Sequence, residues 1–544
     1  MGVPINEYGP CLLNTTPLGL LLYHSCQVYS PPIRVLVNSL VNMDATVDAQ
    51  HCLIAVPVLG LQITELYEPL SCTELCYAVL HRNEHDVERL LSSGHSVLTE
   101  RSTAETTMLH LSANWPRGLA ILIEHAGKEI ESIINITSNY YLAALEYAIM
   151  LENANSVELL LDAGARFTSY ICEFLPHITN RRTTRIAYTI GKSLAQRRRD
   201  LLQLALLNLP SEKVTRLGLR EEILLDDKAV DVVKALKQQG VLLPAIYDDI
   251  EPGSVYHWRE LTPLIAQKLF DAGFHKTNAV YRGYHPLMVD RVSLHHNLDL
   301  ISWFEDCGTD LYAPIPIPDE HFDTWVVDGR RPVYPAIHFC IAKLKLKGSN
   351  LDDLPKKKLS LFRRLLEDKM SDPCICYCTT KELGCTSTSK YARNLIGVTE
   401  FKALFYWFLK HLSIIERAMS ESDDYPRVAL GITRICTFGI LGMRHTCCEY
   451  NRRFDPIHDA KDLLILMDPE EIEEIRGEDR FLAALLETLM IEFEKKFYEL
   501  KLPLSQFMET YWWPRMQEVE REREEPSAED LHAIMEIGVV LDDA

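Results

Sequence analysis

The sequence predicts a mainly α-helical chain: a repeat solenoid, degenerate and carrying insertions, followed by a helical C-terminal domain with a Cys/His cluster. Three observations carry that expectation. Glycines recur at a period near 33 residues, the same apolar pattern precedes them, and 7 of the 15 cysteines fall within the 75 residues from Cys374 to Cys448. The composition agrees with a folded protein, since 47% hydrophobic and 24% charged residues sit at the globular norms of about 45–50% and about 25%.

Residues 1–68 do not follow the ladder. Segments 33–37 and 53–56, with Pro31, Pro32 and Pro57 nearby, read as short strands or extended pieces that cover the exposed face of the first repeat. The ladder itself occupies 69–370. Leu75 is followed by Val87, Leu90, Leu91 and Gly94 at +12, +15, +16 and +19, and Leu145 by Val157, Leu160, Leu161 and Gly164 at the same offsets. Between them, Leu109 leads to Leu122, Ile123 and Gly127 in a copy one residue shorter. Gly240, Gly273 and Gly308 extend the series, in steps of 33, 37, 76, 33 and 35 residues. The long step predicts a divergent copy within 168–239.

A short helix, a tight turn and a second helix carrying Val-x-x-Leu-Leu account for the pattern. The glycine then supplies the left-handed residue that ends the helix, where a Cβ is costly. One pair cannot bury its own apolar stripe, so copies must stack. With Leu160-Leu161-Asp162-Ala163-Gly164, Thr107-Met108-Leu109-His110 and His285-Pro286-Leu287-Met288, the stretch resembles the ankyrin repeat, although the Thr-Pro-Leu-His tetrad of that family is intact nowhere. Tyr334-Pro335-Ala336-Ile337-His338 opens one more copy. Leu365-Leu366 closes it, after an insertion that holds Lys356-Lys357-Lys358. The resemblance implies an array that binds other proteins through side chains on its concave face and projecting turns.

The region 371–454 carries the chemistry. Asp372-Pro373-Cys374-Ile375-Cys376-Tyr377-Cys378 is followed by Gly384-Cys385 and, about 60 residues on, by His445-Thr446-Cys447-Cys448. On an extended segment, residues two apart point the same way, so Cys374, Cys376 and Cys378 are expected to face one ion. Gly384 would let the loop turn back and deliver Cys385. Zinc takes four thiolate or imidazole ligands in a tetrahedron. Candidate ligands of a structural zinc are therefore Cys374, Cys376, Cys378, Cys385, His445, Cys447 and Cys448, about four of which would bind. Adjacent Cys447 and Cys448 fit one centre poorly, so one of them is read as a packed thiol. A set of reduced buried cysteines and a redox-active thiol group remain the alternatives. The Cys-rich loop, with Thr437-Phe438, Leu441-Gly442 and the His-Thr-Cys-Cys segment, also resembles uncharacterised ankyrin-repeat proteins of filamentous fungi, which implies a fold and no activity. Between the two Cys segments, 401–409 reads as a strongly apolar core helix.

The region 455–544 is acidic, with 25 Asp/Glu against 9 Lys/Arg. It reads as an acidic helical cap: one helix from about Phe481 to Leu500, a second ending at Tyr511-Trp512-Trp513-Pro514, a solvated charged run and an apolar tail at 534–541. Most of the net charge of −21 therefore belongs to this region.

Other motifs fail. His81-Arg82-Asn83-Glu84-His85 spells an inverted zinc-protease motif, but the repeat register places a turn between the histidines. Gly191-Lys192-Ser193 lacks the first glycine of a phosphate-binding loop, Ile186 standing in its place. Arg181-Arg182, Arg185 and Arg197-Arg198-Arg199 read as a solvated helix face.

No catalytic or cofactor-binding residue is expected apart from the zinc candidates. The expected function is a protein-interaction module or scaffold without catalysis, with protein partners, no nucleic acid and no membrane. Acidity disfavours nucleic acid, and the longest apolar stretch, 52–61, is far shorter than a span of about 20 residues. Two alternatives are carried. One is a substrate-recruiting adaptor of a ubiquitin-ligase-like assembly with a zinc-stabilised module, favoured by an open fourth position on the metal or by two interleaved ions; the other is a thiol-redox sensor. An odd cysteine count without a secretory signal points to an intracellular place, cytoplasmic or nuclear.

Overall fold

The computed structural model describes residues 73–101, 106–138, 141–167, 181–220, 224–248, 250–258, 261–281, 286–288, 297–315, 334–343, 356–372, 374–380, 384–396, 401–447, 449–450, 464–465 and 467–524. The extended pieces expected within 1–68 and the tail at 534–541 lie outside them. The described residues are mainly helical. Their strands are two antiparallel pairs of two residues each, β1 (Pro314–Ile315) with β2 (Tyr334–Pro335), and β3 (Glu449–Tyr450) with β4 (Leu464–Ile465). Two compact units divide at Lys276, inside the stretch 69–370 expected as one ladder.

The first unit opens with three helix pairs: α1 (Glu74–Leu80) and α2 (Glu84–Ser92), α3 (Met108–Leu111) and α4 (Pro116–Ala126), α5 (Ala144–Met150) and α6 (Ala154–Asp162). Thr73 caps α1 by accepting from the Cys76 N–H. Asn83 and Asn153 cap α2 and α6 in the same way, accepting from Asp86 and Ser156. The residue before each asparagine, Arg82 or Glu152, takes φ +54° or +52°, so the two pairs share one left-handed turn. Gly94 and Gly164 end the second helices at φ +103° and +96°, where a Cβ would strain the backbone, and all six ladder glycines have positive φ.

Stacking follows from these stripes. First helices pack on first helices and second on second, from α1 to α5 and from α2 to α6. The contact buries Val87, Leu90 and Leu91 in one copy and Val157, Leu160 and Leu161 in another. Each such side chain contributes about 1.5–3 kcal/mol. A polar link joins neighbours as well. His110 accepts the Thr107 N–H at Nδ1 (3.1 Å), which leaves Nε2–H to donate to the Leu142 carbonyl, 32 residues on, at 3.0 Å.

The divergent pair expected within 168–239 is instead one long helix, α7 (Arg181–Asn208), followed by α8 (Ser211–Leu217) and α9 (Ala229–Gln238). No proline interrupts 181–208, and Ile186, Ile190, Leu201 and Ala205 keep one face buried until Pro210. Gly191 belongs to this packing rather than to a phosphate loop: a Cβ there would sit 2.9 Å from the Lys268 carbonyl on α10 (Pro263–Asp271). The arginine stretch is a solvated face only in part: Arg182, Arg185 and Arg199 are exposed, and Arg197 and Arg198 are not. Arg198 is buried, and Arg197 donates to the carbonyls of Leu161 (2.7 Å) and Ala165 (2.8 Å), satisfying the open end of α6.

The second unit stacks α11 (Asn297–Asp306) on α13 (Lys356–Glu367) and that on α15 (Phe401–Met419), with α12 (Ala336–Lys343), α14 (Ser387–Ile396) and α16 (Tyr425–Ile440) packed in series beside them. Lysines expected in an insertion begin α13, where Lys357 and Lys358 pair with Asp306 and Asp299. His338 donates to the Met370 carbonyl, again 32 residues on, at 3.1 Å. Helix pairs therefore continue past 370, and the cysteine loop lies between two of them.

Residues of 371–454 and of the acidic region form one body. It adds α17 (Pro469–Glu478), α18 (Arg480–Leu500), α19 (Leu504–Phe507), a π-turn (Met508–Trp512) and α20 (Trp513–Glu524). Trp512 is fully buried and donates to Thr437 Oγ1 at 2.9 Å, while Arg434 joins Glu487 on α18 at 2.6 Å. The helix expected to end at 511–514 instead runs on to Glu524. Pro514 lacks an N–H and its ring crowds the preceding turn, and the wider π-turn just ahead absorbs both. Among the described residues, no helix is long and apolar enough to cross a membrane.

Candidate metal centre

Two segments of the second unit meet: the loop 371–386 between α13 and α14, and residues 443–447 after α16. Asp372 organises the first. Its Oδ1 accepts the N–H groups of Cys374 (3.2 Å) and Cys385 (2.8 Å), and its Oδ2 pairs with buried Lys390 of α14 at 2.8 Å. The Asp372 N–H also donates to the Cys385 carbonyl at 3.0 Å. Both ends of the loop are thus clamped at one carboxylate, which the Lys390 ammonium holds below its usual range against the opposing effect of burial. Gly384 is needed for close approach, since a Cβ there would overlap the Asp372 carbonyl. Further along, Thr446 Oγ1 donates to the Ile375 carbonyl at 2.6 Å, and Arg434 donates to the Tyr377 carbonyl at 3.0 Å.

Six of the seven candidate ligands come together, and Cys448 lies outside the described residues. Cys376, Cys378, His445 and Cys447 place their ligand atoms within 4.8 Å of one another, and so do Asp372, Cys374 and Cys385. His445 Nδ1 stands 3.8 Å from Cys376 Sγ and 3.7 Å from Cys447 Sγ. Cys447 Sγ lies 3.2 Å from the sulfurs of both Cys378 and Cys385, and Cys378 is 3.8 Å from Cys385. All six residues are buried except His445, which is partly so, and none of the five cysteines is in a disulfide.

The three cysteines at 374, 376 and 378 do not face one ion as a strand would place them. A turn at Tyr377-Cys378 breaks the extended path, and Asp372 draws Cys374 towards Cys385. The thiols interact strongly. Hydrogen bonds from Cys378 and Cys447 hold Cys376 far below the usual thiol range, and those from Cys374, Cys378 and Cys447 do the same for Cys385, while the same network pushes Cys378 and Cys447 well above it. Cys436 is a packed thiol on α16, outside the group, that burial rather than other thiols pushes well above that range. Thiolates and a neutral imidazole at these separations form a donor set that can hold a metal: ligands about 2.3 Å from a tetrahedral zinc lie about 3.8 Å apart.

The roles of Asp372, Lys390 and Thr446 were not read from the sequence. Asp-x-Cys is an Asx-turn pattern, and that signal could have found Asp372. The His81 and His85 pair is divided by the turn at Arg82, as the register required. No known protein-family model matches this chain, and no curated protein matches it.

Proposed function

We propose that the chain is a non-catalytic protein-binding scaffold of the ankyrin type, whose second unit is held by a structural zinc. The observations that carry this reading recur between helix pairs: two pairs share an asparagine cap after a left-handed turn and a glycine end, and two others each start a histidine link to a carbonyl 32 residues on. Such stacks present their turns as a row of side chains for recognition. Two exposed apolar residues occupy such turns. Tyr141, 87% exposed and at φ +61°, precedes α5, and Leu242, 97% exposed, follows α9. A bulky residue at positive φ is strained, and strain of that kind clusters at binding sites. Nine cysteines among the described residues stand outside any disulfide, which suits a reducing compartment.

The test is quantitative affinity capture from the native cell with the full chain and with the variants Tyr141→Ala and Leu242→Asp, all of equal helicity by circular dichroism. A specific partner enriched by the wild type and lost by at least one variant is the expected result. Capture of nothing above background would overturn the scaffold reading. Zinc content of the reductant-treated chain tests the metal separately.

A further inference from the structure

Resting on the zinc reading above, we infer that the site is a binuclear zinc–thiolate cluster in which Cys378 and Cys447 bridge both ions. One zinc would take Cys376 and His445 as terminal ligands, and the other Cys374 and Cys385.

The distances divide in this way. Cys376 and His445 stand 3.8 Å apart, and His445 is 3.7 Å from Cys447. On the opposite side, Cys385 lies 3.2 Å from Cys447 and 3.8 Å from Cys378, with Cys374 within 4.8 Å of it. Cys378 and Cys447 are themselves 3.2 Å apart, so they belong to both groups. Three of these separations match the edge of a coordination tetrahedron, about 3.8 Å, and that between Cys378 and Cys447 is the edge that two tetrahedra would share; Cys385 must open by about 0.6 Å from Cys447 when metal enters. All of these separations are far from the disulfide length of about 2.05 Å. An iron–sulfur cluster would place iron and sulfide between its cysteines and hold their sulfurs farther apart.

Counting donors reaches the same arrangement. A single zinc on Cys376, Cys378, His445 and Cys447 would leave two buried thiols, Cys374 and Cys385, pressed against its thiolates. Two separate tetrahedra need eight donors, and the described residues offer six. Asp372 cannot fill the gap, because Oδ1 already accepts two N–H groups and Oδ2 pairs with Lys390. Even Cys448 would bring the total only to seven. Sharing two thiolates gives each ion four ligands with none left over. Five thiolates against two divalent ions leave one negative charge, beside the buried Lys390. Neither ion keeps an open position, so the cluster is structural.

The experiment uses the full chain, purified under reductant. Native mass spectrometry with elemental analysis should find two zinc ions per chain, and Cys385→Ser should lose one of them while Cys307→Ser, outside the cluster, keeps both. After exchange into cadmium-113, NMR should show two resonances split by coupling through the shared sulfurs. One ion per chain, unchanged in Cys385→Ser, would overturn the shared cluster and leave the single structural zinc standing. Two cadmium signals without mutual splitting would overturn the bridging. No bound metal would remove both this inference and the zinc reading on which it rests. The wild-type stoichiometry and splitting decide the matter even if the variant fails to fold.

Discussion

The helix pairs of the first unit and the cysteine loop of the second use the same link and different cores. In both, a histidine reaches a carbonyl 32 residues on, His110 to Leu142 and His338 to Met370. In the first unit the interval between those residues is filled by buried leucines and isoleucines, Leu111, Leu119, Leu122, Ile130, Ile133 and Ile134, which hydrophobic burial holds together. After Met370 the chain enters a loop whose buried side chains, among the described residues, are Asp372, Cys374, Cys376, Cys378, Thr379 and Cys385. Thiols and a carboxylate offer little apolar area, so the hydrogen bonds of Asp372, with the proposed zinc, take the place that leucines have elsewhere. On the proposed zinc reading, a compact charge-neutralising centre replaces the missing stripe, and metal removal is what breaks the comparison.

The largest expected effect breaks the comparison on the cysteine side. Cys447→Ser removes the sulfur that touches both ligand groups, and structural zinc sites contribute apparent folding energies of about 10–16 kcal/mol in small zinc-binding domains. Here part of that is retained by α16 and α18, so a loss of several kcal/mol is the expectation. Hydrogen exchange followed by mass spectrometry should show amides of 425–440 losing protection while those of 84–92 and 154–162 keep theirs. Chelation of the wild type under reductant should give the same pattern. Unchanged protection of 425–440 after complete metal removal would mean that the loop is held by packing alone.

A smaller effect sharpens the other side. Leu160 and Leu90 are equivalent residues, 0% and 3% exposed, in pairs that stack through the same face. Either one changed to Ala should cost about 2–5 kcal/mol, from lost burial and the cavity left behind. The losses should fall on the first unit only, as read by chemical denaturation with the same exchange readout. Since each repeat leans on its neighbours, the two costs need not add in a double variant. A cost below about 1 kcal/mol at both sites would show that the stripes do not carry the stack.

How much of this was legible depends on what leaves a periodic trace. The pairs were readable because a glycine at positive φ and a Val-x-x-Leu-Leu stripe recur in register, and each has a physical cause that permits few substitutes. The helix α7 was not, because its buried residues Ile186, Ile190, Leu201 and Ala205 keep helical spacing through the place where a turn was expected. Only the absence of a proline before Pro210 distinguishes it, and an absence is a weak mark. The arginines misled for a related reason: Arg197 is spent on the carbonyls that end α6, a contact set by folding rather than by spacing. At the cysteine site, residue type alone named the donors. Their division into two groups depends on the turn at Tyr377-Cys378 and on Asp372, whose carboxylate gathers N–H groups 11 residues apart.

The smallest effect tests the link that the two regions share. Burial lowers the His110 pKa to about 4, with the bond to Leu142 opposing that shift in part. Unfolded, the imidazole binds its proton near pH 6.5, so between pH 6.5 and about 4 the unfolded state holds more protons than the folded one. Stability from this group is therefore complete above pH 6.5 and is lost as pH falls towards 4, by about 3 kcal/mol in total. His110→Gln should cost only about 1–2 kcal/mol at pH 7, the worth of the interrupted hydrogen bonds. Its stability should then fall less steeply with acid, so the gap to the wild type closes near pH 4–5. Urea denaturation of both proteins across this range decides it. Parallel curves would mean that the buried imidazole takes up its proton without disturbing the stack, and the link would then be a consequence of stacking rather than one of its supports.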